Sequence, residues 1–231
     1  MTETGERCVG FEGQLRHLLG LGVLLAGLAG ASRLPGFFDG ELLGFSTRAW
    51  VVVAVANAVA HQTYVCLCWR LELHGRHLTR IFGRAAFGIY AAGFVVLFLA
   101  RPSLVTGLAI ANAGSLPIDP GPARAISAVL LVPVLYLGYS VRRYFGFRRA
   151  MGMDHFDPSY RDAPLVREGI FRFTSNAMYS FAFLLLWVPA CYFRSTAALC
   201  VALFSHLYIW VHYFCTERPD MKRIYGGEPA T

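Results

Sequence analysis

The chain is short of charged residues: Asp, Glu, Lys and Arg make up only 15% of its 231 residues, whereas hydrophobic residues make up 56%. Soluble globular domains carry roughly 25% charged residues. This deficit, together with the long apolar runs, excludes a soluble enzyme and predicts an integral membrane protein.

The chain also lacks the motifs by which soluble enzymes hold metals or nucleotides. Its six cysteines form no metal-ligand pattern, so we expect small buried thiols and no bound metal. Glycines occur at Gly20, Gly22 and Gly88, but a nucleotide-binding Gly-rich loop follows a strand and opens a helix, and that context is missing. We interpret these glycines as helix-packing positions.

Six apolar runs are spaced as membrane-spanning helices of about 20 residues each. The predicted fold class is therefore all-α, a polytopic membrane protein whose residues 1–231 form a single membrane domain. The connection that follows the third span contains four prolines and is expected to run along the outer surface. The predicted spans are residues 17–34, 49–69, 85–100, 125–137, 178–193 and 196–213.

The basic residues are distributed unevenly between alternate connections. Sixteen of the 21 Lys and Arg residues fall in the N-terminus, the second and fourth connections and the tail, and five fall elsewhere. This asymmetry predicts that both termini are cytoplasmic, in a bacterial inner membrane or an endoplasmic reticulum-like one. Topology and attraction to anionic lipid headgroups also account for the net charge of +7, so we do not expect nucleic acid as a partner.

Polar residues bracket the last two predicted spans at both ends. The segment REGIFRFTSNAMYSF, residues 167–181, precedes them, and CTERPDMKRIYGG, residues 215–227, follows them. Neither apolar stretch can bury such neighbours in lipid, so the two polar ends should meet at one bilayer surface. A site formed there would consist of helix ends.

The residues of this bracket carry a family resemblance. Residues 169–172 (GIFR), residues 176–179 (NAMY), Glu217 and residues 224–226 (IYG) resemble the C-terminal signature of the integral-membrane methyltransferases. That family includes phosphatidylethanolamine N-methyltransferases and isoprenylcysteine carboxyl methyltransferases. Its S-adenosylmethionine site consists of a glycine, a short aromatic run, Arg-His-Pro-x-Tyr, a helical hairpin and a Glu-Glu pair before an aromatic-Gly.

The chain departs from that pattern at two places. Ser175-Asn176-Ala177 stands where the family has Arg-His-Pro, and Thr216-Glu217 stands where it has two glutamates. The run TERPDM followed by IYG is similar to the phospholipid N-methyltransferase branch, which favours a lipid amine as acceptor. The resemblance implies S-adenosylmethionine as cofactor, bound within residues 164–231. The predicted cofactor-binding residues, from the resemblance and from the helical spacing described next, are Gly169, Arg172, Asn176, Met178, Tyr179, His206, Tyr213 and Glu217.

Helical spacing supports Glu217 independently. His206, Trp210, Tyr213 and Glu217 recur at intervals of four, three and four, so they share one helix face. A carboxylate at the membrane end of a helix needs a cation or water, and an aromatic face attracts a sulfonium by about 0.5 to 2 kcal/mol per contact. Two other interpretations stay open: the aromatic residues belong to the interfacial belt, and Asn176 caps the following helix.

Methyl transfer to an amine also requires a base, because an alkylammonium has a pKa of about 10.4. The candidates are Glu217, His212 and Glu72, with Asp220 a further acid on the same side.

The lipid phosphate would be held by arginine, whose planar fork makes bidentate contacts. His61 lies inside a span and is a functional candidate on that ground. The predicted acceptor-binding residues are His61, Arg70, Arg76 and Arg143.

Each of these residues also has a structural interpretation. His61 and His212 can be packing histidines, Arg70 and Glu72 can pair with each other, and the arginines can be topology charges.

The predicted function is S-adenosylmethionine-dependent N-methylation of phosphatidylethanolamine or its methylated derivatives at the cytoplasmic surface, the chemistry of phosphatidylcholine biosynthesis. One alternative is methylation of an isoprenylcysteine-like carboxylate or a small thiol, because the shared cofactor motif does not identify the acceptor. The other is a non-catalytic membrane binding or transport protein with a degenerate site, which the departures at Asn176, Ala177 and Thr216 keep open.

Overall fold

The computed structural model describes residues 12–160 and 164–226. The basic residues Arg7 and Arg161, the cysteine Cys8 and the tail from residue 227 onward lie outside the described residues. Five helical segments among the described residues are long and apolar enough to cross a membrane, which confirms the all-α polytopic class. These segments are Gln14–Ala31, Thr47–Gly75, His77–Ala111, Pro120–Phe145 and Thr196–Tyr225.

The regular elements follow one another as a helical bundle with one small hairpin. The first half contains α1 Gln14–Ala31, the antiparallel strands β1 Glu41–Leu42 and β2 Phe45–Ser46, α2 Thr47–Gly75, α3 His77–Phe82 and α4 Ala86–Ala111. The second half contains α5 Pro120–Ser140, α6 Phe147–Ala150, α7 Leu184–Tyr192, α8 Thr196–His212 and α9 Arg218–Tyr225. Three π-helical turns, Val141–Phe145, Met178–Ala182 and Tyr213–Glu217, follow α5, precede α7 and follow α8.

The fifth predicted span is shorter than a full crossing. The apolar helix there covers Met178–Tyr192, which is below the length of the other five. It consists of a π-helical turn followed by α7, and α7 packs against α5 and α8. The sequence predicted about six spans, and the described residues contain five long apolar helices and one short one.

The third predicted span extends beyond its expected end. Helix α4 continues through Pro102 to Ala111, so the segment expected along the outer surface begins only after Ala111. The hydroxyl of Thr106 donates to the Pro102 carbonyl at 2.8 Å and that of Ser103 to the Leu99 carbonyl at 3.0 Å. Each hydroxyl is thus paired within its own helix on the C-terminal side of Pro102.

This extension changes the place of Arg101. The sequence puts Arg101 in an outward connection, but the structure buries it in α4. Its guanidinium donates to the Ala58 carbonyl at 3.2 Å and lies 5.4 Å from the centre of the Phe183 ring. One of the five arginines assigned to the outer connections is therefore an interior residue.

Small side chains let the helices approach closely at the core. Ala58 of α2, Ala109 of α4 and Ala202 of α8 are fully buried in one apolar cluster. In a membrane bundle, small residues allow close contact and strong van der Waals packing. This packing fixes the last turns of α2 beside the end of α8, where the polar residues of the bracket converge. The described cysteines are free and lie in buried or partly buried positions.

Candidate active site

The two ends of the last hairpin meet, as the bracket predicts. The hydroxyl of Tyr179 donates a hydrogen bond to the Glu217 carboxylate, 38 positions away in sequence. Tyr179 lies in the π-helical turn that precedes α7, and Glu217 ends the turn that follows α8. Such turns occur frequently at functional sites because they change the direction of side chains locally.

Aromatic rings form one wall beside Glu217. The ring of Tyr179 lies 5.1 Å from that of Tyr213 and 5.8 Å from that of Trp210, centre to centre. Trp210 and Tyr213 are in edge contact at 5.7 Å. The predicted aromatic face therefore lies next to the predicted carboxylate. His206, the deepest member of that face, packs on the Phe183 ring at 5.7 Å.

Asn176 is part of this wall through its side chain and its backbone. The side chain lies next to the Tyr213 hydroxyl. The carbonyl accepts from the backbone N–H groups of Tyr179 at 3.0 Å and Ser180 at 3.1 Å. Asn176 therefore starts the turn that carries Tyr179. Ala177, the residue directly before that turn, makes no side-chain cap.

A buried network of charged residues lies near Glu217. Arg70 Nε lies 3.0 Å from Asp220 Oδ1, so Arg70 pairs with Asp220 and not with Glu72. His155 lies between two carboxylates, with Nδ1 3.1 Å from Asp154 Oδ1 and Nε2 3.7 Å from Asp220 Oδ2. The hydroxyl of Tyr225 donates to Asp154 at 2.9 Å. Each of these charges thus has a partner, as buried charges require.

The charge state of His155 follows from this position. Burial alone would lower the pKa of His155, but the hydrogen bonds and charges of Asp154 and Asp220 outweigh it and raise the pKa to about 9. Burial would raise the pKa of Asp154, yet the contacts with His155 and Tyr225 lower it. His155 is therefore a cation at neutral pH, and Asp154 is an anion.

The backbone at Gly152 places His155 in this network. Its φ of +82° is a left-handed conformation that glycine adopts without strain. A Cβ at Gly152 would overlap the indole of Trp69. Because no Cβ is present, the chain approaches closely enough for the His155 ring to stack on Trp69 at 4.1 Å.

A cavity of about 200 Å³ adjoins the network at the end of α2. Glu72, Arg76 and His155 supply its charged side chains. The Glu72 carboxylate accepts from the Thr79 backbone N–H at 3.0 Å and from the Thr79 hydroxyl, and it lies 4.0 Å from Arg76 Nε. The cavity therefore presents one fixed carboxylate and two cations, and Leu73, Phe156 and Pro158 complete its lining.

Other predicted site residues lie elsewhere. His61 is buried in the bundle with its ring 4.8 Å from that of Phe94, and neither ring nitrogen has a described hydrogen-bond partner. Arg143 and Arg172 are exposed, with their guanidiniums over Tyr144 and Phe173. Met178 packs against the apolar cluster around Leu137 and Val141.

Gly169 and His212 lie close to the site without contacting Glu217 in the described hydrogen bonds. Gly169 has a φ of +59° and lies against α5, where the N–H of Ile170 donates to the Ser140 hydroxyl at 3.0 Å. His212 is buried with its ring 6.0 Å from that of Trp69. Its two ring nitrogens have no hydrogen-bond partner among the described residues.

Sequence reasoning missed Asp154 and His155. Aromatic residues and arginine pairs surround them, a composition that is typical of a segment lying in the headgroup layer. The signal that marks them is an adjacent Asp-His pair after a glycine, which the structure folds inward so that both side chains are buried. The helical period could not show this contact, because the segment contains only short turns.

The fold and the site together define a polytopic membrane protein whose polar residues converge at the ends of its helices. Residues 122–228 match the family model described as phospholipid methyltransferase. The region that carries Tyr179, Glu217 and His155 is therefore similar to the phospholipid methyltransferase family, which confirms the resemblance seen in the sequence. No curated protein and no solved structure matches the chain.

Proposed function

We propose that the protein transfers methyl groups from S-adenosylmethionine to the headgroup amine of phosphatidylethanolamine or its partly methylated derivatives. The observation that carries the proposal is the cavity lined by Glu72, Arg76 and His155, which adjoins the buried charged network through His155. Its two cations and one carboxylate complement a zwitterionic headgroup, which has a phosphate and an ammonium.

The methyl donor fits the side of the site formed by Glu217. The Glu217 carboxylate is partly buried and lies beside the rings of Tyr179 and Tyr213. A sulfonium cation is attracted by a carboxylate and by aromatic faces. When bound, S-adenosylmethionine supplies an electrophilic methyl group. Glu217, Tyr179 and Tyr213 would hold the charged sulfur end, with Asn176 positioning Tyr213.

The acceptor phosphate fits the two cations of the cavity. Arg70 is engaged with Asp220 and with the Thr216 carbonyl at 3.3 Å, so Arg76 is the arginine on the cavity wall. His155 adds a second positive charge at neutral pH. The Arg76 guanidinium can donate to phosphate oxygens through charge-assisted hydrogen bonds, and the imidazolium attracts the phosphate through its charge alone. The small volume accommodates a headgroup, while the acyl chains remain between helices in the bilayer.

The proton of the acceptor amine would go to Glu72. The nitrogen must be neutral before its lone pair can form the new N–C bond as the S–C bond breaks. His155 is already protonated, with both ring nitrogens directed at carboxylates. Glu72 is the carboxylate on the cavity wall, so it can first attract the ammonium and then accept its proton. The protein otherwise acts by alignment and by exclusion of water.

Product analysis tests this function. The purified protein in detergent is mixed with methyl-labelled S-adenosylmethionine and vesicles that contain phosphatidylethanolamine, and the lipids are extracted and analysed by mass spectrometry. We expect label in mono-, di- or trimethylated phosphatidylethanolamine and none when the vesicles contain only phosphatidylcholine. Donor binding without lipid labelling would contradict the lipid amine and leave a carboxylate or thiol acceptor. Absence of donor binding would support a non-catalytic protein.

A further inference from the structure

A second cavity lies at the end of the bundle opposite Glu217. Its volume is about 310 Å³, and it lies between the loop after α4 and the turn between α7 and α8. Helix α8 and the turn after it separate Arg194 from Glu217 by about 30 Å at 1.5 Å per residue, roughly the thickness of a bilayer hydrocarbon core. The lining residues are Ala113, Gly114, Pro120, Arg124, Tyr192, Phe193 and Arg194.

The charge on this cavity is all of one sign. Arg124 and Arg194 line it, and no acidic residue does. The Arg124 guanidinium carbon lies 5.9 Å from the centre of the Tyr192 ring, and Arg194 Nη1 donates to the Ile118 carbonyl at 3.3 Å. Among the described residues, neither arginine forms an ion pair. Two guanidiniums thus share one cavity without a described carboxylate to balance them.

The backbone around the cavity is held in place by Asn112, which is 2% exposed. Its Nδ2 donates to the carbonyls of Gly36 and Asp39, and its Oδ1 accepts from the Ser195 hydroxyl and the Ala197 N–H, all within 3.0 Å. One side chain therefore joins the loop before α2, the loop after α4 and the start of α8.

Two backbone bonds close the cavity wall directly. Gly114 N–H donates to the Phe193 carbonyl at 2.9 Å, and Leu116 N–H donates to the Arg194 carbonyl at 2.8 Å. A preformed site of this kind loses less conformational freedom when a ligand binds.

We propose that this cavity binds the headgroup of an anionic phospholipid in the leaflet opposite the methyl-transfer site. Arg124 and Arg194 contact the phosphate, because a guanidinium fork matches phosphate oxygens. Tyr192, which is 49% exposed, and Phe193 contact the glycerol and the first acyl carbons, as aromatic residues do at membrane interfaces. The site is separate from the proposed catalytic residues and does not depend on the proposed reaction.

Native mass spectrometry of the full chain in detergent, titrated with dioleoylphosphatidylglycerol, tests this site. We expect one lipid to stay bound to the wild type and the double variant Arg124→Gln, Arg194→Gln to bind it at least about tenfold more weakly. Arg124→Gln alone should show part of the loss of lipid affinity. Because Arg124 is exposed and contacts only the Tyr192 ring among the described residues, this variant should fold. S-adenosylmethionine binding reports on the opposite end and should be unchanged.

Arg48→Gln is the matched control. Arg48 lies at the start of α2, at the same end of the bundle, and its guanidinium stacks on the Phe38 ring at 4.6 Å, but it does not line the cavity. This variant should retain the lipid like the wild type. Equal lipid affinity of the wild type and the double variant, or equal losses in Arg48→Gln and Arg124→Gln, would overturn the proposal. Displacement of the lipid by a stoichiometric amount of inorganic phosphate would show a free-phosphate site and contradict a lipid site.

Discussion

Arg70 and Asp220 form a buried ion pair in which Arg70 Nε lies 3.0 Å from Asp220 Oδ1, and this pair joins α2 to α9. The carboxylate of Asp220 also faces His155. Removing one partner of such a pair leaves an uncompensated buried charge, which is far more destabilising than the loss of an exposed pair.

Asp220→Asn should therefore lower the free energy of unfolding by about 3 to 5 kcal/mol. Arg223→Gln is the control, because it removes a surface pair in which Arg223 Nη2 lies 2.9 Å from Glu12 Oε2. That change should lower stability by less than about 1 kcal/mol. Denaturation of the two purified variants in the same detergent measures both values, and equal losses would contradict the assignment of Asp220 to a buried network.

His155 makes stability depend on pH. Its pKa in the folded protein is raised to about 9 from an ordinary value of 6.5, so the folded state holds the proton more tightly. The stabilisation is complete below pH 6.5 and is lost as pH rises through about 9, with a slope of up to about 1.4 kcal/mol per pH unit.

His155→Gln should flatten the decline in unfolding free energy between pH 6.5 and 9. Unfolding curves of the wild type and this variant at several pH values within that range provide the measurement. Parallel curves for the two proteins would contradict an imidazolium held between Asp154 and Asp220.

Arg76 is expected to act on the acceptor and not on the methyl donor. Arg76→Gln removes a phosphate contact from the cavity, so the KM for phosphatidylethanolamine should rise by about tenfold while the Kd for S-adenosylmethionine is unchanged. Arg80→Gln is the control, because Arg80 is exposed on the neighbouring helix α3 and does not line the cavity. Similar KM values for the two variants would remove the reason for placing the headgroup there.

Gly169 is expected to be a packing residue. Its φ is +59°, and an added Cβ would lie 2.9 Å from Ser140 Cβ and 3.0 Å from the Tyr144 ring. Gly169→Ala should destabilise the protein by roughly 1 to 3 kcal/mol. Gly88→Ala in α4 meets no atom within 4 Å and should be neutral or slightly stabilising. Thermal unfolding compares the two, and a loss of donor affinity in Gly169→Ala without a loss of stability would indicate a cofactor contact instead.

Composition and residue order were enough to predict the class of the protein and the meeting of the hairpin ends. Both predictions depend on strong constraints: apolar runs must cross the bilayer, and polar flanks cannot enter it. The same constraint brought Tyr179 to Glu217. The bilayer constraint could not predict that Tyr179 and Glu217 each lie in a π-helical turn. Such a turn follows from local packing and not from the period of the apolar residues.

Tertiary contacts determined what the sequence did not show. Pro102 was taken as the end of a helix, but α4 continues through it to Ala111. Arg70 pairs with Asp220 and not with Glu72, since the two meet only when α9 packs against α2. His155 lies in the site because Gly152, which has no Cβ, lets the turn that contains His155 pack against Trp69.

In the proposed methyl-transfer site, the sulfonium donor binds beside Glu217 at the end of the last hairpin. Isothermal titration calorimetry of S-adenosylmethionine with the wild type, Glu217→Gln and Glu168→Gln tests it most directly, because Glu168 is an exposed carboxylate of the same C-terminal region. We expect micromolar binding to the wild type and Glu168→Gln, and at least about tenfold weaker binding to Glu217→Gln. Equal affinities of Glu217→Gln and Glu168→Gln would contradict the account.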